Sequence, residues 1–408
     1  MLLNVPYLKF LNICMFQIVD ITRTPSSERM IELWGKRYTV DISSLSQNPK
    51  FYGELINAAS PESRSLTAAK LLNNSLDRTT NQIATQAQSL YDYIPEIIGE
   101  FHMGQRITEF AFQIYQRLLE SYQQQYGVVV NTTKNLKATI NDSDQFNLTL
   151  STIPKVEDLA NQLEALLFKY QDLHLMAKNW RVVGFLTTLF NFTNKFLVNQ
   201  LTSVEKVLVC PYFKFIEEHV AIPWQRICAA AAQHERDSEP LALVEQMFPQ
   251  TSEISSTVYW KLLESFPAHR SARGGLGNPD VAHSCLRDFD MFQAYLWLCV
   301  LEGNQQSVKQ ELVRLCVMVM PNVGVRWEMI DKSKQILFEQ IEKRTSPKYK
   351  PLLLNYTQNI EAEFYHMRKE MCQKDELVEV PFYPEEDSNY HPMTGETDSA
   401  LLKAQLEP

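Results

Sequence analysis

The most restrictive feature of this 408-residue chain is one long segment that would be apolar on almost every side of a helix. Residues 278–304 read NPDVAHSCLRDFDMFQAYLWLCVLEGN. Asn278 is a favourable N-cap residue, Pro279 suits the first helical position, and Gly303 is typical of the residue that follows a helix. The spacing therefore predicts one helix from Pro279 to Leu301. Its second half is apolar nearly all round, which is typical of a central helix buried by its neighbours.

Three charged residues, Arg287, Asp288 and Asp290, lie near the middle of this predicted helix. Moving a charge out of water is unfavourable unless another group compensates it. We therefore expect groups elsewhere in the fold to neutralise these charges.

The rest of the chain also predicts helices. Glycine is scarce, at 12 of 408 residues, and leucine, glutamine and glutamate are frequent. Helical spacing of apolar residues extends from Ser60 to about Gln125, with a break at Pro95, and resumes at Glu157. Residues 180–230 predict long, mostly buried helices that are broken at Pro211 and Pro223. The predicted class is all-α, or mainly helical.

Two segments of the first half favour β structure. Residues 33–45 alternate around Tyr38, Val40 and Ile42, which predicts a short β element. Residues 127–153 are rich in Asn, Thr and β-branched residues, which predicts a loop with a hairpin and a domain seam.

We therefore predict three parts. Residues 1–155 form a helical N-terminal region, residues 156–345 form a C-terminal domain with its core at 200–340, and residues 346–408 form a helix and an acidic flexible tail.

Several classes of function are disfavoured. The net charge of −9 and the lack of a long Lys/Arg run argue against nucleic acid as a partner. The seven cysteines are widely spaced without a C-x-x-C, and the eight histidines are scattered, so we expect no disulfide framework and no metal site. The apolar N-terminus is interrupted by polar residues, so we expect no membrane span. No nucleophile–base arrangement is recognisable, so we expect no enzymatic activity.

The helix that begins at Pro279 carries a resemblance to a known family. The pattern of phycobiliproteins is Cys-Leu-Arg-Asp, a run of apolar and aromatic residues, a Tyr ten positions after the Cys and a Gly eighteen after it. The matching positions, without a gap, are Cys285, Leu286, Arg287, Asp288, Tyr295 and Gly303. Further similarity, including Pro321-Asn322-Val323, extends over residues 200–340. This part of the chain resembles the phycobilisome family, and the resemblance implies a globin-like helical domain.

The resemblance also implies a pigment site. Cys285 would form a thioether with a phycocyanobilin-type linear tetrapyrrole, and Asp288 would accept hydrogen bonds from its central pyrrole nitrogens. Asp288 lies three residues after Cys285, on the same helix face. Arg287 would pair with a bilin propionate, and Phe292 and Tyr295 would wall the pigment. Considered alone, a free cysteine in such a helix is usually a buried small residue.

Two functions stay open at this point. The first is a bilin-carrying protein of light harvesting or light sensing in a cyanobacterium-like organism. The second is a non-pigmented assembly, linker or turnover factor. Many family members have basic residues where this chain has Asp280 and Val281, and Arg273 and His283 are the only other cations near Cys285. These departures favour the second function.

In both cases the expected partners are phycobiliprotein subunits or other phycobilisome components. The expected location is the cytoplasm, at the cytoplasmic or stromal face of thylakoids.

Overall fold

The fold is helical throughout the part of the chain that can be described. The computed structural model describes residues 19–42, 49–73, 76–90, 101–124, 129–131, 149–151, 153–176 and 181–373. Most of these residues lie in helices, which confirms the predicted all-α class. The apolar N-terminus up to residue 18, the predicted break at Pro95 and the predicted acidic tail after residue 373 lie outside the described residues.

Within these ranges the α-helices are α1 (Pro25–Lys36), α2 (Pro49–Ala58), α3 (Pro61–Leu72), α4 (Leu76–Leu90), α5 (Phe101–Gln124), α6 (Val156–Met176), α7 (Arg181–Val198), α8 (Ser203–Ala221), α9 (Trp224–Ala231), α10 (Glu239–Met247), α11 (Thr251–Ser265), α12 (Pro279–Glu302), α13 (Val313–Val319), α14 (Trp327–Arg344) and α15 (Lys350–Gln373). Shorter turns of other helical types are Phe248–Gln250, Val308–Leu312, Pro321–Val323 and Pro347–Tyr349, of which Val308–Leu312 is π-helical. The strands are β1 (Thr39–Asp41), β2 (Val129–Asn131), β3 (Thr149–Ser151), β4 (Arg270–Ser271) and β5 (Gly274–Gly275).

A small antiparallel sheet has the strand order β1-β3-β2. Val40 and Val130 both lie opposite Leu150 of the central strand, and Leu150 is fully buried. Strand β1 coincides with the predicted β element around Val40, and β2 and β3 fall inside the segment for which a hairpin is predicted. The sheet therefore brings residues far apart in the first half of the chain together.

Helix α12 begins and ends where its terminal residues predict. The Asn278 side chain accepts a hydrogen bond from the backbone N–H of Asp280 at 2.8 Å, and Pro279 occupies the first turn. Gly303 has a φ of 66°, a left-handed conformation that side chains with a Cβ rarely adopt. Helices α9, α10, α11 and α15 pack around α12, and its residues from Phe289 to Leu301 are buried.

The helix break predicted at Pro211 is wrong, whereas the break at Pro223 is confirmed. Helix α8 continues through Pro211 and ends at Ala221, and α9 begins at Trp224. A proline inside a helix costs about 3 kcal/mol. The side chains that follow it are buried, among them Tyr212, Phe213, Phe215 and Ile216. Burial contributes about 1.5–3 kcal/mol for each large apolar side chain, so together they outweigh the cost of the proline.

One continuous hydrophobic core extends from Met30 to Phe364. It includes residues on both sides of position 155. Helix α1 packs against α6 and α9, and α5 packs against α7 and α8. The division of the chain at residues 155 and 345, and the globin-like arrangement of its second part, stay predictions.

His219 lies in the aromatic core between α1 and α8. Its ring stacks on Phe215 with centroids 5.1 Å apart and on Trp34 with centroids 5.8 Å apart, and it is 4% exposed. Burial lowers the pKa of His219 to about 4. The folded protein therefore holds this imidazole neutral at pH values where an unfolded chain would protonate it.

We expect His219→Phe to remove part of the acid sensitivity of the fold. Because the folded-state pKa lies below the unfolded value of about 6.5, the contribution of neutral His219 is complete above pH 6.5 and is lost as the pH falls towards 4. The free energy of unfolding that His219 contributes falls by about 3 kcal/mol between about pH 7.5 and pH 4, and His219→Phe should not show this decrease. Urea unfolding at both pH values measures the difference. Exposed His366→Phe is the matched control, and equal acid sensitivity of the two variants would contradict the prediction.

Candidate functional site

Helix α12 divides the five predicted site residues into two groups. Cys285, Arg287 and Asp288 lie in its first half and are partly buried. Phe292 and Tyr295 lie in its buried second half, where they are 9% and 0% exposed. The structure therefore brings the first three together, whereas the two aromatic residues have other neighbours.

Phe292 and Tyr295 both pack against later parts of the chain. The ring of Phe292 stacks on that of Phe364 in α15, with centroids 5.8 Å apart. The hydroxyl of Tyr295 donates a hydrogen bond to Glu311 at 2.8 Å, and Glu311 is held by Arg226 at 2.8 Å. Both side chains are thus part of the core of the helical bundle.

The thiol of Cys285 is in an environment that disfavours the thiolate. Burial, and then the negative charge of Asp288, raise the pKa of Cys285 to about 12. The thiolate is the nucleophilic form of cysteine, so at neutral pH this thiol is a poor nucleophile. Addition to a double bond of a bilin would require that the environment of Cys285 change.

The cations near Cys285 surround a carboxylate of the protein itself. Glu217 in α8 is 4% exposed. It lies 2.9 Å from Nε2 of His283 and 3.4 Å from Nη1 of Arg287. The side-chain amides of Asn191 and Asn194 donate to its two oxygens at 3.1 and 3.0 Å. We call these five residues the Glu217 cluster.

The Glu217 cluster keeps its carboxylate charged. Burial alone would raise the pKa of Glu217. The charge and hydrogen bond of His283, followed by the charge of Arg287 and the hydrogen bond of Asn194, outweigh burial and hold the pKa well below its usual range. In return, the Glu217 carboxylate raises the pKa of His283 against the opposing effect of burial.

Arg287 has a second partner within the protein, and Arg273 is also bound by neighbouring side chains. Arg287 donates to Asp288 through Nη2 at 2.9 Å. Arg273 donates to Ser284 at 2.9 Å and to Asn191 at 3.1 Å, and its guanidinium lies 5.1 Å from the ring centre of Phe192. Each of the three cations for which the resemblance or the sequence suggested a propionate partner is thus bound by groups of this chain.

Sequence reasoning missed Glu217 and the two asparagines. A signal for the glutamate was present, because Glu217 and Glu218 lie side by side in the stretch from Tyr212 to Ala221, which is apolar apart from these two residues, Lys214 and His219. Two carboxylates in an apolar helix require partners from other elements. The positions of Asn191 and Asn194 in α7 carry no such signal.

A second buried cluster neutralises Asp290 and Glu218. Arg37, which follows α1, donates to both oxygens of Glu218 at 2.9 and 3.0 Å and to Asp290 at 2.6 Å. Glu218 also accepts hydrogen bonds from Tyr38 and Trp224, and Asp290 accepts one from Ser255. The partner that the sequence requires for Asp290 is therefore an arginine 253 residues away.

Two clefts occur near the helices described above, and neither is lined by Cys285. One, of about 270 Å³, lies between α1 and α6 beside His219. The other, of about 510 Å³, lies between α9 and the turn after α12.

Among the residues that the structure describes, no helix combines the length and apolar character needed to cross a bilayer. These residues also contain no cluster of three or more His, Cys, Asp or Glu placed to bind a metal ion.

Comparisons with protein-family models, with curated proteins and with solved structures give no match for this chain. The similarity of the motif around Cys285 to the phycobilisome family therefore rests on the residues themselves.

Proposed function

We propose that this chain is a non-pigmented, non-enzymatic protein of the phycobilisome family, with a globin-like C-terminal domain. It would act by protein–protein contact, as an assembly, linker or turnover factor. Its partners would be phycobiliprotein subunits or other phycobilisome components, at the cytoplasmic or stromal face of thylakoids. The observation that carries the proposal is the position of the Glu217 carboxylate among the cations that a bilin propionate would need.

The Glu217 cluster supports this function through charge. A propionate that bound Nη1 of Arg287 and Nε2 of His283 would have to displace a buried carboxylate that already has four side-chain partners. Glu217 would then be left buried with only the amides of Asn191 and Asn194 as partners, and a buried carboxylate without a counter-charge costs several kcal/mol. The protein therefore supplies internally the negative charge that a pigment would bring, and the high pKa of Cys285 acts in the same direction.

A bilin on Cys285 is the second candidate function, and one specific observation favours it. Cys285 is partly buried rather than enclosed, and Asp288 lies one turn further along the same helix with 22% of its side chain exposed. A partly exposed carboxylate one helical turn from the thiol could accept hydrogen bonds from the pyrrole nitrogens of a bilin attached to Cys285. In this function the pigment would serve light harvesting or light sensing.

Pigment attachment separates the two candidates. The full chain is co-expressed with bilin-synthesis enzymes and a lyase, and zinc fluorescence is recorded on a denaturing gel beside a phycobiliprotein subunit as a positive control. We expect the chain to give a dark band. A fluorescent band that is lost in Cys285→Ala but kept in Cys210→Ala, which also removes a partly buried thiol, would overturn the non-pigmented function in favour of the second candidate.

Partner capture tests the docking role itself. Tagged full-length chain is mixed with purified phycobiliprotein subunits and with an unrelated acidic helical protein as a control for charge. We expect selective retention of the subunits. A chain that is both dark on the gel and unable to retain any subunit would contradict the proposed function.

A further inference from the structure

The cleft of about 510 Å³ lies at the C-terminal end of α12, whereas the Glu217 cluster contacts the first half of that helix. It is formed by α9 and by the turn that joins α12 to the π-helical segment Val308–Leu312. Its volume of about 510 Å³ lies within the range of small-molecule sites. Side chains with both donor and acceptor groups line it, including Gln233, Gln306 and Gln310.

The floor of the cleft is an ion pair that is almost completely buried. Nη1 of Arg226 donates to both oxygens of Glu311, at 2.8 and 3.0 Å, and the two side chains are 10% and 6% exposed. Glu311 belongs to the π-helical turn, a rare conformation that is frequent at functional sites. The ion pair uses Nη1 of Arg226. The other terminal nitrogen, Nη2, faces Glu302, which forms one wall of the cleft.

Arg226 and Glu302 place a hydrogen-bond donor and a hydrogen-bond acceptor at a spacing that one bridging atom could fill. Nη2 of Arg226 lies 3.9 Å from Oε1 of Glu302, which is too long for a hydrogen bond. The other oxygen of Glu302 accepts a hydrogen bond from Ser307 at 2.6 Å, which fixes the carboxylate. An oxygen placed about 2.9 Å from each atom would accept from the arginine and donate to the carboxylate. A hydroxyl group has both capacities.

The charges of the cleft select among ligand classes. One positive side chain, Arg226, faces two negative ones, Glu302 and Glu311. At the point between Arg226 and Glu302, a carboxylate or phosphate would lie within hydrogen-bond distance of the Glu302 carboxylate, and an ammonium group would lie within hydrogen-bond distance of the Arg226 guanidinium. A charged group of either sign therefore meets a like charge there. A neutral compound with several hydroxyl groups meets neither repulsion, and amide side chains are suitable partners for its other hydroxyls.

The turn that lines the cleft is preorganised. The side-chain oxygen of Asn304 accepts a hydrogen bond from the backbone N–H of Gln306 at 2.9 Å, and the side-chain amide of Gln310 donates a hydrogen bond to the side-chain oxygen of Gln306. A lining that is already ordered loses little entropy when a ligand binds.

We propose that this cleft binds a neutral polyhydroxy compound, a sugar or polyol, with one hydroxyl bridging Arg226 and Glu302. This inference is independent of the docking role proposed above.

Calorimetric titration of the full chain tests it, with glucose, maltose, sucrose and myo-inositol as probes and with phosphate, citrate and spermidine as charged competitors. We expect at least one neutral probe to bind saturably with a Kd of about 1 mM or tighter, and the charged compounds not to bind. Glu302→Ala should weaken that binding at least about tenfold, which corresponds to about 1.4 kcal/mol. Glu342→Ala, on the surface of α14, is the matched control and should bind like the parent chain.

A second variant covers the case in which Glu302→Ala does not fold. Gln233 is exposed on the opposite wall and makes no side-chain hydrogen bond among the described residues, so Gln233→Ala should fold normally and bind more weakly. The inference is overturned if no neutral probe binds, if phosphate or citrate binds instead, or if the folded variants bind as tightly as the parent. General stabilisation by sugars at high concentration would not saturate and would not depend on Glu302.

Discussion

Replacing Arg37 with methionine should lower the free energy of unfolding by about 3–5 kcal/mol. Arg37 is the cation that neutralises Glu218 and Asp290, and its side chain is 6% exposed. Its guanidinium also lies 4.4 Å from the ring centre of Trp224. Methionine fills a similar volume but removes the cation that contacts Asp290, and it leaves Glu218 with only the half-exposed Lys214, 3.7 Å away, as a counter-charge.

The destabilisation by Arg37→Met should depend on pH in a defined direction. Burial opposes ionisation of Glu218, but the charge of Arg37 outweighs it and lowers the pKa of Glu218 in the folded protein. The contribution of this group is therefore present at neutral pH and is lost as the pH falls through the folded pKa. The difference between parent and variant should be largest near neutral pH and should narrow in acid.

Urea unfolding followed by circular dichroism measures this effect. Arg29→Met is the matched control, because Arg29 makes an exposed pair with Glu32 in the same helix, and its loss should change stability by less than about 0.5 kcal/mol. Equal effects of the two arginine variants would show that Arg37 does not anchor the end of α1 to α8 and α12.

Replacing Glu311 with leucine is expected to lower the free energy of unfolding by a similar amount, about 3–5 kcal/mol. The change leaves the buried charge of Arg226 with only Glu302, 3.9 Å away, as a counter-charge. Tyr295 would lose the acceptor of its hydroxyl at the same time. Burial raises the pKa of Glu311 despite the opposing charge of Arg226.

A double variant distinguishes loss of the ion pair from loss of packing. In Arg226→Met, Glu311→Leu both charges are removed, and replacement of a buried pair by apolar residues is often neutral. We expect the double variant to recover most of the stability that Glu311→Leu loses, as measured by the urea midpoint. Glu342→Leu, at an exposed pair with Lys350, is the control for the substitution itself. A double variant less stable than Glu311→Leu would mean that packing, rather than charge, sets the effect.

The helical class and the limits of α12 could be predicted because they depend on local properties. Asn278, Pro279 and Gly303 each favour a helix terminus by their own geometry, and the apolar run between them can be buried only in the centre of a fold. The short strand around Val40 was predictable for the same reason. The continuation of α8 through Pro211 was not, because the local cost of a proline is outweighed by burial against helices that the local sequence does not specify.

The candidate site was predictable in part. Cys285 and Asp288 share a helix face because their spacing requires it, and this could be predicted from sequence. The partners of Arg287 could not be predicted, because Glu217 lies 70 residues earlier in the chain. The neighbours of Tyr295 also come from a later element, the π-helical turn, whose conformation has no simple sequence signal.

The sequence by itself determined that α12 is a buried central helix and that the charges within it require compensation. The tertiary structure alone decided which groups provide it: Arg37 for Asp290, and Glu217 for Arg287 and His283. The physical reason is that the cost of a buried charge is a property of its own residue and its burial, whereas the group that relieves the cost acts over a few ångströms in space from any position along the chain. The pairing of Glu217 with Arg287 and His283 also bears on function, because these are the cations with which a pigment's propionate would have to pair.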